Sequence, residues 1–141
     1  MRAFIISALF VATSLTPVTA SAMTYEEAAA QGVSPVTGSE MLSCALYWDA
    51  WARSLNPNHH GEGKGIWDAG WISTLNEAVQ LPAAQDTSAY WFERAKADYE
   101  TYDEMDAFYT GIQNAYDYDI ESLDERKFMQ FLGECARPAQ S

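Results

Sequence analysis

Two cysteines, a pair of adjacent histidines and a dense run of carboxylates are the side chains of this 141-residue chain whose chemistry reaches beyond packing. Cys44 sits in LSCALYWDAW, residues 42–51, amid two leucines, a tyrosine and two tryptophans, with Asp49 as the single charge. A nucleophilic or redox thiol needs an electropositive setting or a closely spaced second cysteine to hold its thiolate. Neither is present, and the other cysteine is the distant Cys135. In an exported chain two such cysteines usually pair. A Cys44–Cys135 disulfide closes a loop of about ninety residues and is worth roughly 4 kcal/mol in the chain-entropy account.

His59 and His60 lie in NPNHHGEGKG, residues 56–65, next to Asn58 and Glu62. Imidazoles with a nearby carboxylate suit copper, nickel or zinc, and glycines let a loop wrap an ion. The segment supplies too few ligands for a closed structural site, so solvated turn residues are the plainer reading. GEGKG is not a phosphate loop, because Lys64 is followed by Gly65 and a helix precedes it, where that motif needs Ser or Thr and a strand. DYDIESLDE, residues 117–125, resembles a calcium loop only in its acidity. An EF-hand needs Gly at the sixth position and Glu at the twelfth, where this chain has Ser122 and Phe128.

The densest charge is in ADYETYDEMDAFY, with Asp98, Glu100, Asp103, Glu104 and Asp106 on what reads as one long helix. Three chemistries compete for it. Carboxylates on a solvated face need no function. A single-sign face also accelerates encounter with a cationic protein. A carboxylate pair serves hydrolysis only where enclosure keeps one member protonated. Five tryptophans are many for a small core; Trp51 and Trp91 are the ones expected to stay partly exposed, as contact residues beside the acids. Tyr99, Tyr102 and Tyr109 are assigned mainly to the core.

The elements that must position these residues follow from pattern. Residues 1–22 have the form of a cleavable leader: Arg2, an apolar run from Ala3 to Leu15, Pro17, then Ala20-Ser21-Ala22. Residues 23–36 read as an arm with a helical turn near Tyr25–Ala30, residues 37–137 as one helical domain, and residues 138–141 as a tail. Thr37 and Glu40 have capping-box spacing, and a first helix runs to Leu55. Apolar periodicity predicts a second helix from Ile66 to Gln80, closed by Leu81-Pro82, and a third from Ser88 to Tyr116. A fourth begins at Ser122. The economical packing is an all-α, small antiparallel four-helix bundle, which brings the start of the first helix and the end of the fourth, and hence Cys44 and Cys135, to one end.

Without the leader the chain has seven basic and twenty acidic side chains. That surface disfavours nucleic acid and anionic membranes. No later segment is long and apolar enough to span a bilayer, and no motif calls for a cofactor. The expectation is a periplasmic or secreted acidic interaction module, an inhibitor, immunity or accessory protein for a basic partner. A small-molecule or metal-binding protein is the alternative, and a carboxylate-dependent hydrolase the third reading.

Overall fold

The computed structural model describes residues 22–31, 35–56, 67, 69–110, 113 and 125–138. Residues 1–21 of the expected leader, residues 57–66 with His59 and His60, and the acidic stretch 117–124 lie outside the described residues. Those described are helical, with no strand among them: α1 (Tyr25–Gln31), α2 (Gly38–Leu55), α3 (Ala69–Ile72), α4 (Leu81–Ala95), α5 (residues 102–110) and α6 (Glu125–Glu134), with single 3₁₀ turns at Glu77–Val79 and Lys96–Asp98.

Helix α2 is the axis of the fold. Its start is fixed as the sequence predicts: Glu40 N donates to Thr37 Oγ1 at 3.3 Å, and Thr37 N to Glu40 Oε2 at 3.0 Å. This reciprocal pair satisfies two donors that a helix start leaves without intrahelical partners. The stripe at helical spacing, Met41, Cys44, Trp48 and Leu55, is only part of what α2 buries. Leu42, Leu46, Ala50 and Ser54 are buried as well as Met41, Cys44, Trp48 and Leu55, because α2 is covered on more than one side. A helix buried around most of its circumference needs apolar residues off the main stripe too.

Helix α4 covers one side, antiparallel to α2. Gly38 lies beside Asp98 and Tyr99, Ser88 Oγ donates to Ala45 O at 2.8 Å, and Trp51 Nε1 donates to Val79 O at 2.6 Å. Helix α6 covers another, also antiparallel: Cys44 bonds Cys135, Tyr47 packs on Phe131, and Trp51 packs on Phe128. Helix α1 lies on α6. A Cβ added at Gly133 would come within 2.7 Å of Ala28 Cβ, so only glycine allows that approach. The segment read as an arm outside the helical domain thus packs on the core, with Ala28 buried and Tyr25 set edge-on to Trp48.

Two of the expected helices are corrected. The one predicted over 66–80 is not continuous: α3 ends at Ile72, and Asn76 caps a 3₁₀ turn through Ala78 N at 2.9 Å. Pro82 does not close a helix but opens α4, in the first turn, where its missing N–H costs nothing. Starting α4 seven residues early changes its buried stripe to Ala84, Thr87, Trp91 and Ala95. Within α4, Thr87 Oγ1 and Ser88 Oγ donate to Ala83 O and Ala45 O.

The predicted long helix also breaks. After Ala95 the chain tightens into Lys96–Asp98, extends at Tyr99, and restarts as α5, where Glu104 N donates to Thr101 Oγ1 at 3.2 Å. Carboxylates three and four apart along one helix repel; the break divides them between two segments. The all-helical class therefore stands for the described residues, whereas four continuous rods do not describe them.

Candidate functional site

The disulfide is formed, with a Cα–Cα distance of 5.3 Å, and no cysteine is free. Thiol chemistry is thereby removed from the candidates. Around it, Trp48 Nε1 and Trp91 Nε1 both donate to Cys135 O, at 2.8 and 2.7 Å. A carbonyl oxygen has two lone pairs, and this one gives each to a buried indole. Cys135 is thus held covalently by α2 and through hydrogen bonds by both α2 and α4.

Trp51 and Trp91, expected to be partly exposed contact residues, are 0% and 2% exposed. Trp51 is surrounded by Trp67, Trp71 and Phe128, with ring centroids 5.6 to 6.2 Å away. Trp91 faces the end of α6, where its indole reaches Cys135 O. Both indole N–H groups bond to buried main-chain carbonyls, which is the arrangement of a structural tryptophan.

The carboxylates of Asp98, Glu100, Asp103, Glu104 and Asp106 are all exposed, and among the described residues none forms an ion pair. They are spread over the 3₁₀ turn, the extended link and α5. No enclosure surrounds any of them, as a protonated catalytic acid would need. In α5 the buried side is marked by Met105, and the helix keeps two rings outside: Tyr102 is 57% and Phe108 40% exposed. Tyr102 lies one turn from Asp106, and Phe108 one turn from Glu104, so each flank of α5 pairs an aromatic ring with a carboxylate. The tyrosines were expected mainly in the core; half-buried Tyr99 and Tyr109 do pack against it, but Tyr102 does not. The signal available for Tyr102 is the Thr101–Glu104 spacing, which marks a helix start and so an outer first turn.

The segment also shows how a cation sits among these groups. Lys96 Nζ is 2.5 Å from Glu93 Oε1 and lies 5.5 and 5.8 Å from the ring centres of Phe92 and Tyr102. Aromatic faces attract cations through their quadrupole. Asp49 and Arg53, four apart on α2, form an ion pair at 3.2 Å.

A second concavity, with a volume of about 590 Å³, lies between α1 and residues 71–79. Trp71, Leu75, Val79 and Met129 make its apolar wall, and Tyr25 and Glu26 its α1 side. Asn76 Nδ2 donates to Glu26 Oε1 at 3.2 Å, tying the two sides together. Burial, with a smaller contribution from Glu26, pushes the Tyr25 phenol above its ordinary value, so it remains a protonated donor at physiological pH. Sequence reasoning missed this site by treating residues 23–36 as an arm. Thr24 and Glu27 carry a capping box of their own, with Thr24 N to Glu27 Oε2 at 2.9 Å and Glu27 N to Thr24 Oγ1 at 3.2 Å.

Elsewhere, Arg94 and Arg137 stand over the Tyr90 ring, 5.5 and 4.7 Å from its centre, in a shallow recess that also contains Asp86 and Glu93. Among the described residues no three His, Cys, Asp or Glu side chains converge as metal ligands, and no helix is long and apolar enough to cross a membrane. Comparison with protein-family models, with curated proteins and with solved structures gives no match, so a functional reading must come from these sites alone.

Proposed function

We propose that the protein is an exported acidic interaction module whose segment 98–108 receives a basic partner protein. The observation that carries this reading is the composition of the exposed segment. Five exposed carboxylates, without an ion pair among the described residues, flank two exposed aromatic rings, Tyr102 and Phe108. Charge of one sign supplies steering and selection of an opposite-sign partner. The rings supply contact area and cation–π attraction for lysine or arginine side chains. The contacts of Lys96 with Glu93, Phe92 and Tyr102 illustrate the chemistry within the chain. The disulfide agrees with a periplasmic or extracellular setting.

The test is capture from the native periplasmic or secreted fraction at low salt, run in parallel with three baits. These are the wild-type protein, a variant with Asp98→Asn, Glu100→Gln, Asp103→Asn, Glu104→Gln and Asp106→Asn, and the Tyr102→Ala/Phe108→Ala variant. The expected result is a basic protein retained by wild type, released as salt rises, and lost from both variants. A partner held equally by the neutralised variant, or the absence of any salt-sensitive partner, overturns the proposal.

A further inference from the structure

We propose that the groove between α1 and residues 71–79 is a binding site for a small hydrophobic cation, an amine or quaternary ammonium attached to an apolar body. Its volume of about 590 Å³ falls within the range of small-molecule sites. Its wall is what an apolar body needs: Trp71, Leu75, Val79 and Met129 present ring, branched and thioether surface. A thioether on an unbranched chain adapts to irregular shapes, so Met129 and Met23 allow a range of bodies rather than one.

The charge of the groove selects the head. Among the described residues, Glu26 is the one carboxylate that lines the groove, and no lysine or arginine does. Asn76 Nδ2 donates to one oxygen of that carboxylate and leaves the other without that bond. Tyr25 and Trp71 bring two aromatic rings to the same groove, so a cation beside Glu26 gains both charge and quadrupole attraction. An anionic head meets that carboxylate in a chain of net charge −12 and is repelled. At another edge, Met23 N, the amino terminus once the leader is removed after residue 22, donates to Gln130 Oε1 at 3.2 Å. This site is separate from the acidic segment 98–108, and its test does not depend on the partner proposed there.

Three probes distinguish the head from the body: phenylbutyl-trimethylammonium, its neutral tert-butyl isostere, and phenylbutyl-carboxylate. Each is titrated calorimetrically into the exported protein. The cation should bind, the neutral isostere about tenfold more weakly, and the carboxylate more weakly still. Glu26→Gln should abolish the preference for the cation while leaving the neutral probe unchanged. Thr74→Phe, which fills the groove from an exposed lining position, should abolish binding of all three. The variant neutralised at Asp103, Glu104 and Asp106 should bind the cation as wild type does. Equal binding of all three probes, cation binding insensitive to both Glu26→Gln and Thr74→Phe, or no binding at millimolar probe overturns the assignment. Far-ultraviolet circular dichroism of Glu26→Gln and Thr74→Phe verifies that each variant remains folded.

Discussion

Around Cys135 and along residues 96–110 the protein uses the same kinds of side chain, aromatic rings and polar atoms, in opposite ways. At Cys135 the polar groups are spent inside the fold: two indoles share one carbonyl, and the disulfide fixes that carbonyl's residue to α2. In α5 the rings of Tyr102 and Phe108 stand in solvent beside carboxylates without ionic partners among the described residues. A buried polar atom must be satisfied within the fold, because leaving it unpaired costs about 1–3 kcal/mol. An exposed one is satisfied by water and remains available to a partner. The contrast separates residues that hold the fold together from residues free to act outside it, although both sets look alike as aromatic, polar sequence.

The largest effect that probes this contrast is removal of the disulfide. Cys44→Ser with Cys135→Ser should lower unfolding free energy by roughly 4 kcal/mol, measured by urea denaturation. A loss below 1 kcal/mol would mean that the hydrogen bonds to Cys135 hold α6 unaided. Next is the shared carbonyl. Trp48→Phe and Trp91→Phe each leave it one donor, and each should cost about 1–2 kcal/mol in hydrogen bonding and lost volume. The double variant leaves it none, so its cost should exceed the sum by about 1 kcal/mol or more in a double-mutant cycle. Strict additivity would show that the carbonyl finds another donor.

On the other side of the contrast, neutralising all five carboxylates from Asp98 to Asp106 should change stability by only about 0.5 kcal/mol or less for each, as exposed sites do. The change should favour stability, since like charges are relieved. A strongly destabilised variant would show that these acids belong to the fold rather than to a recognition face. The smallest effect concerns Glu40. Val36 N and Thr37 N donate to its carboxylate at 2.9 and 3.0 Å and hold it below the ordinary value of 4.5. A lowered folded value means that its contribution is present above the ordinary value and is lost as pH falls through the folded one. The gap in Tm between wild type and Glu40→Ala should therefore be widest near neutral pH and narrow as the solution is acidified. A gap that widens on acidification would contradict the sign.

What could be read early followed from local rules. Thr37 and Glu40 announced α2, and the leader-like start of the chain made the cysteine pairing expected. Thr24–Glu27 and Thr101–Glu104 carry the same capping spacing, and attention to them would have located α1 and the restart at α5. Pro82 was misjudged because a proline is compatible with either a helix end or a first turn, and apolar periodicity does not choose between them. Trp51 and Trp91 were misplaced for a different reason. One helix's stripe says which face is apolar, but how many neighbours cover that helix is a non-local property.

The sequence by itself determined an all-helical, acidic chain with two cysteines suited to pairing, because composition, periodicity and caps act over a few residues. Only the tertiary structure decided which tryptophans spend their N–H groups on buried carbonyls, that the arm of α1 completes the core and forms one side of a groove, and that Tyr102 and Phe108 face water. Those outcomes depend on contacts between residues far apart in the chain, such as Trp48 with Cys135 and Glu26 with Asn76. Their energies are set by desolvation and close packing, which exist only once the helices have met.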